Sequence, residues 1–240
     1  MARLTLNQLE KRYDGRKVVK QVSLSVSSGQ VIGLLGPNGA GKTTTFYMTV
    51  GMIKPDGGQV MLNDTEITGD PMYMRARKGI GYLPQEASIF RKLTVEQNVR
   101  AILETMPLRK SEQMARTEEL LDELGIKHLM HQRAGVLSGG ERRRLEISRA
   151  LATNPVFILL DEPFAGIDPL AVTDIKKIIG HLKKKDIGIL ISDHNVRDTL
   201  EACDMAFILA DGKVIESGTP REIADSPTAR RIYLGEEFRL

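Results

Sequence analysis

The stretch Val31-Ile32-Gly33-Leu34-Leu35-Gly36-Pro37-Asn38-Gly39-Ala40-Gly41-Lys42-Thr43-Thr44 decides how the rest of the chain is read. Its first five residues are almost continuously apolar, the pattern of a short strand covered on both faces. Gly36 to Thr43 then fit G-x-x-x-x-G-K-[ST], and a helical run follows. A glycine-rich turn between a buried strand and a helix start leaves backbone N–H groups free to converge on one anion. Lys42 is placed to reach the β- and γ-phosphates of a nucleotide, and the Thr43 hydroxyl to ligate magnesium. The candidate phosphate site is therefore Gly36, Pro37, Asn38, Gly39, Ala40, Gly41, Lys42, Thr43 and Thr44.

Outward from this loop, short apolar runs recur between longer helical patterns, at 3–9, 22–26, 59–62, 80–83, 156–160, 187–192, 206–209 and 213–216. The first of these alternate apolar and polar residues, as a half-exposed antiparallel sheet does. The runs at 31–35, 156–160 and 187–192 are nearly all apolar, as in a parallel sheet covered on both faces. Asp211-Gly212 between the last two runs signals a hairpin. From about residue 72 to 152 the texture changes, and 95–106, 111–124 and 139–152 read as helices. The expectation is an α/β fold: a parallel core with antiparallel additions, built from 1–85 and 155–240, and a helical subdomain inserted at about 86–154.

Composition sets the bounds. The chain has 240 residues, enough to bury a sizeable core, and one cysteine, Cys203, which excludes an internal disulfide and reads as a small core side chain. The longest unbroken apolar run is six residues, Met205 to Ala210, against about 20 needed to cross a bilayer. Thirty-four Lys and Arg against 31 Asp and Glu leave +3, too little to call for a nucleic-acid partner. The basic triplets at 142–144 and 183–185 read as solvated helix faces, and His128 and His131 as loop residues without a carboxylate or thiol partner.

Two further motifs carry chemistry. Phe157-Ile158-Leu159-Leu160-Asp161-Glu162-Pro163 is a buried strand with two carboxylates at its C-terminal end, where open α/β sheets place ligands. Strand alternation would send the two in different directions, so that Asp161 serves magnesium while Glu162 reaches an attacking water. Leu137-Ser138-Gly139-Gly140-Glu141 precedes a long amphipathic helix: Ser138 is a good N-cap, and Gly139 and Gly140 leave N–H groups bare at a helix start. That is a second anion site, about a hundred residues from the first, and the two do not easily surround one phosphate in a single subunit.

Together these motifs resemble the nucleotide-binding subunit of ABC transporters, a P-loop NTPase cassette, over nearly the whole chain. Gln85 in Leu83-Pro84-Gln85, the 137–141 signature, Asp161-Glu162, the D-loop-like Ala165-Gly166-Ile167-Asp168 and the switch-like His194 in Ser192-Asp193-His194 occur in the family's order. Glu141 stands where Gln is more usual, and Asp193 where Thr is commoner. The resemblance implies ATP and Mg2+ as cofactors and a head-to-tail homodimer that sandwiches each ATP between one subunit's phosphate loop and the other's Ser138, Gly139 and Gly140. It also implies Tyr13 stacked on adenine, Glu162 as general base or water-orienting group, and His194 on the γ-phosphate. Thr43, Gln85 and Asp161 would surround the metal, with Asp168 reaching across the dimer.

An ATPase of this kind borrows its pore from two separately encoded transmembrane permease subunits. It would sit on the cytoplasmic face of the inner membrane through them, without touching the transported molecule. The stretch beside Gln85, with Phe90 and Arg91, suits the coupling surface. That stretch and the tail Arg230-Arg231-Ile232-Tyr233-Leu234-Gly235-Glu236-Glu237-Phe238-Arg239-Leu240 resemble ATPases of lipopolysaccharide exporters. The rival resemblance is to branched-chain amino acid importers, which also end in a Tyr-Leu-Gly element. A GTPase would carry Asn-Lys-x-Asp, which is absent. Coiled-coil genome-maintenance ATPases need a longer gap between phosphate loop and signature, and a non-catalytic scaffold would have lost Glu162 or His194.

Overall fold

Apolar–polar alternation at the N-terminus produces a one-sided sheet in the computed structural model, which describes residues 1–240. Strands β1 (Arg3–Tyr13) and β2 (Arg16–Ser27) pair antiparallel and turn Leu4, Leu6, Leu9, Val19, Val22, Leu24 and Val26 inward. Strand β3 (Val31–Leu35) leaves for a second sheet and runs through the glycine turn into helix α1 (Lys42–Val50). The chain then returns through β4 (Gly57–Leu62) and β5 (Thr65–Glu66) to complete a four-stranded sheet in the order β2-β1-β4-β5.

Helix α2 (Met72–Arg77) leads into β6 (Ile80–Leu83), and three helices follow: α3 (Val95–Leu103), α4 (Lys110–Glu123) and α5 (Gly139–Leu151). Then come β7 (Phe157–Asp161), α6 (Pro169–Lys184), β8 (Gly188–Ser192), α7 (Val196–Ala202), β9 (Met205–Ala210), β10 (Lys213–Gly218) and α8 (Pro220–Asp225). The second sheet has the order β10-β9-β3-β8-β7-β6, parallel except for β10, which forms an antiparallel hairpin with β9. Every residue of β3, β7 and β8 is buried, as their unbroken apolar runs require.

The period of two divides these strands between two cores. Ile32, Leu34, Phe157, Leu159 and Leu190 pack with Phe46, Met48 and Val50 of α1 and with the inner face of the antiparallel sheet. Val31, Ile158, Leu160, Ile189 and Ile191 pack on the other side with Val172, Ile175, Ile179 and Leu182 of α6, in one cluster that continues into α3, α4 and α5. A third, smaller cluster joins Leu35, Ala206 and Ile208 to Leu200 of α7 and to the C-terminal residues Tyr233, Leu234 and Phe238.

Several local expectations are corrected. Helix α3 stops at Leu103 rather than 106, because Thr105 and Met106 close a turn back onto Ile102 and Leu103 and Pro107 disfavours helix in the residue before it. Helix α4 starts one residue early, the Arg109 N–H being accepted by the Glu112 carboxylate. The triplet at 142–144 is not a solvated face, since α5 lies between α3, α4 and α6 with little free surface. Arg143 is buried, and Arg144 donates to the Leu124 carbonyl and the Asp174 carboxylate. The 183–185 triplet does face solvent, in the ion pairs Lys183–Asp204 and Lys185–Glu123. His131 has a carboxylate neighbour after all, Glu96 at 3.7 Å. Cys203 keeps to expectation, a half-buried side chain packed on the main core beside Gly33.

Candidate functional site

Parallel pairing brings residues far apart in sequence to one edge. Leu34 lies opposite Ser192, Asp161 opposite Ser192, and Leu83 opposite Leu160. The C-terminal ends of β3, β8, β7 and β6 therefore deliver Gly36, Asp193 and His194, Asp161 and Glu162, and Gln85 to the same rim, where ligands of open parallel sheets bind.

The glycine turn is pressed against its own scaffold. A Cβ on Gly36, whose φ is +146°, would stand 2.0 Å from the Leu209 carbonyl oxygen, and one on Gly41, whose φ is +102°, 2.7 Å from that of Val18. Both positions thus require glycine, for space and for conformation. Gly36, Ala40 and Lys42 are buried, while Asn38, Gly39 and Thr43 are exposed at the mouth, with Pro37 and Thr44 half-buried. The Lys42 ammonium donates to the carbonyls of Gly36 (2.6 Å) and Pro37 (3.1 Å). Burial pulls its pKa below the ordinary lysine value, and the charges of Glu162, Asp161 and Asp193 oppose that fall. Helix α1 has no side-chain cap, its N-cap being Gly41 itself, so its first N–H groups stay available.

At the end of β7 the two carboxylates diverge, but by a turn rather than by strand pleating. Asp161 is buried and accepts from the Tyr82 hydroxyl at 3.2 Å; burial raises its pKa, and the Tyr82 hydrogen bond works against that rise. Glu162 adopts a left-handed φ of +47° and leaves the strand, an uncommon conformation for a residue with a side chain. Its N–H donates to the Ser192 carbonyl at 2.6 Å. Its Oε2 accepts from Gln85 at 2.7 Å and lies 3.2 Å from His194 Nδ1. Gln85, Glu162 and His194, drawn from three distant parts of the chain, thus form one hydrogen-bonding cluster.

Helix α5 begins quite differently. The Ser138 hydroxyl accepts from the Glu141 N–H and donates to the Glu141 carboxylate, which also accepts the Ser138 N–H at 2.8 Å. This capping box satisfies the helix start from within. The Ser138 hydrogen bonds, side chain first and then backbone, hold the Glu141 carboxyl below the usual glutamate range. Gly139 faces Ile167, and Gly140 faces Ala171 at the start of α6, whereas the phosphate loop leans on Val18 and Leu209. The two glycine turns thus lean on different parts of the scaffold.

The ABC transporter family pattern matches residues 19–165, which include the loop, the signature and both carboxylates. The chain belongs to that family. It is 56% identical, over the full length of both chains, to the lipopolysaccharide export system ATP-binding protein LptB of Escherichia coli (strain K12), and 53% identical over the same span to that of Haemophilus influenzae. Among solved structures it is similar to MJ1267, an ATP-binding cassette of an ABC transporter, in its ADP conformation: 31% identity, TM-score 0.88, covering 98% of this chain and 100% of that one.

As an ABC ATPase cassette, the chain binds ATP and hydrolyses it, and its other candidate residues lie on several elements. Tyr13 is 45% exposed at the tip of the β1–β2 hairpin with the Lys11 ammonium 5.7 Å from its ring. Further along β2, Val18 touches the loop at Gly41. Asp168 is exposed and caps α6 by accepting the Ala171 N–H. Phe90 is 47% exposed, beneath the Arg149 guanidinium at 4.7 Å, and its neighbour Arg91 is exposed.

Sequence reasoning missed Tyr82 and Arg143. Arg143 donates to the carbonyls of Pro84 and Asp161 and pairs with buried Glu146, which in turn accepts the Ser88 N–H. The signature helix is thereby tied to the segment around Gln85. The i, i+3 Arg–Glu spacing was visible in the sequence, but the same spacing marks any exposed helical pair.

Proposed function

We propose that this chain is the ATP-hydrolysing motor subunit of a lipopolysaccharide exporter, acting as a head-to-tail homodimer on two separately encoded membrane subunits. The observation that carries the substrate is the full-length identity to lipopolysaccharide export proteins, which favours this reading over the amino acid importer. The chemistry is in-line attack of water on the γ-phosphate, driven by positioning and charge. In this reading a phosphate seated in the loop takes the Lys42 ammonium from the Gly36 and Pro37 carbonyls. Glu162 orients the attacking water, and His194, 3.2 Å from it, holds the γ-phosphate side of the geometry.

The residues fit a magnesium ion. Thr43 offers a free hydroxyl oxygen, Asp161 a carboxylate and Gln85 an amide oxygen, all hard donors. No group of three His, Cys, Asp or Glu side chains is close enough to hold a metal unaided, which suits an ion bound chiefly through phosphates and water. Bound there, magnesium would neutralise charge developing on the phosphates. Tyr13 would stack on adenine, while Ser138, Gly139, Gly140 and Asp168 would serve the ATP held by the other subunit.

No helix is long and apolar enough to cross a membrane. Coupling is assigned to the surface beside Gln85. There a groove of about 460 Å³ runs between the parallel core and the lobe at 86–154, lined by Met52, Met72, Leu83, Ser88, Ile102 and Arg149. Phe90 and Arg91 stand next to it, the Phe90 ring against Arg149. Affinity purification from detergent extracts is expected to recover two membrane subunits, and the complex in vesicles to release lipopolysaccharide only with ATP. Phe90→Ala is expected to keep the free subunit's ATPase while lowering partner recovery several-fold. Co-purification with an amino acid permease, or unchanged recovery of the variant, would contradict the assignment.

A further inference from the structure

Asp193 has no role in the reading above, yet it is fully buried, with no exposed surface at all. Its two carboxylate oxygens face two different loops. Oδ2 accepts the Phe164 N–H at 2.9 Å, in the turn two residues beyond Glu162. Oδ1 accepts the Asn195 N–H at 2.8 Å, immediately beyond His194. Asn195 in turn caps α7 by accepting the Asp198 N–H, so His194 is held between a buried anchor and a capped helix. Across the rim, the Glu162 N–H already donates to the Ser192 carbonyl. The backbones carrying Glu162 and His194 are thus tied together twice, once through main chain and once through this carboxylate.

We propose that Asp193 is the positioning residue that sets the Glu162–His194 geometry for hydrolysis. Glu162 sits at a left-handed φ that an unrestrained glutamate leaves readily, so its turn needs an external hold. Only a carboxylate supplies both bonds. The isosteric amide has one acceptor oxygen and would set its NH2 against an N–H, and the shorter threonine hydroxyl reaches one N–H at most. Nucleotide affinity, which comes from the phosphate loop, should be indifferent to the exchange, whereas turnover should not.

The inference rests on Glu162 and His194 acting on the attacking water, and the test separates the two. Full-length Asp193→Asn and Asp193→Thr are compared with the parent for ADP affinity by calorimetry, KM and kcat for ATP, and thermal stability. The expected result is a fall in kcat of about 10- to 100-fold, the size of effect a displaced catalytic group produces, with KM and ADP affinity within about two-fold. Combined with Glu162→Gln, either substitution should lower single-turnover hydrolysis no further, because it acts through that residue. A purely structural role would lower the melting temperature, leave kcat per folded molecule unchanged, and overturn the proposal. If Glu162→Gln alone turned over normally, the underlying reading would fail instead. Should Glu162→Gln be inactive and Asp193→Asn fully active, only the present inference would fall.

Discussion

The two glycine turns read as anion sites use the same materials, glycines at a helix start, to opposite effect. The loop at 36–43 has no side-chain cap, buries its lysine, and is backed by main-chain carbonyls of Leu209 and Val18 that a methyl group would strike. The start of α5 is exposed and closed on itself by the Ser138–Glu141 capping box. One leaves its first helix N–H groups without a side-chain cap, while its lysine rests on the Gly36 and Pro37 carbonyls. The other is a helix end whose cap groups are already bonded to one another. The difference suits the proposal that the first turn grips phosphate within one subunit and the second meets a ligand held by the other.

Three substitutions probe that contrast. Lys42→Ala should strike hardest. Two charge-assisted hydrogen bonds to phosphate at about 1.5–3 kcal/mol each translate into a loss of ADP affinity of about 100-fold or more by calorimetry. The fold should survive, because the substitution also removes a buried ammonium. Unchanged affinity would remove the loop from the site. Ser138→Ala comes next. It should cost about 1 kcal/mol of stability in denaturant as a lost N-cap and leave ADP affinity of the isolated subunit untouched. In sedimentation experiments it should weaken ATP-dependent dimerisation about ten-fold. If it lowered monomer nucleotide affinity instead, the contrast between the turns would collapse.

Glu141→Gln should be the mildest. The folded-state pKa of Glu141 is depressed, so its carboxylate contributes stability above its unfolded value, near 4.3 for a free glutamate. That contribution is lost as pH falls through the lower folded value. Parent and variant should therefore differ at pH 7, by no more than a few tenths of a kcal/mol for so exposed a group, and converge in acid. A gap that widened toward low pH would show that the capping box does not depend on the carboxylate's charge.

Much of the fold was legible because its signals are local. Period-two alternation marked β1 and β2, unbroken apolar runs marked β3, β7 and β8, and Asp211-Gly212 marked the β9–β10 hairpin. Helix limits slipped where a turn competed with the last helical bond, as at Thr105 and Met106. The arginine triplet misled because a helix wedged between α3, α4 and α6 looks, in sequence, like one with a wet face. At the candidate site, Lys42, Thr43, Asp161 and Glu162 stand in motifs whose backbone demands are strict. Gln85 and His194 carry no such demand by themselves and were found through family order. Tyr82 and the bridging role of Asp193 gave no local signal, and the Arg143–Glu146 spacing none that sets it apart from an exposed pair.

By itself, then, the sequence determined which segments are buried strands, where the glycine turn falls, and which carboxylates end β7. Those properties follow from side-chain period and from backbone conformations that few residues tolerate. Only tertiary structure decided that Gln85, Glu162 and His194 meet, that Glu162 turns left-handed, and that one buried aspartate spans two loops. Parallel pairing lays strand ends from distant parts of the chain side by side, and hydrogen bonds across that rim depend on register in three dimensions, which spacing along the chain does not encode.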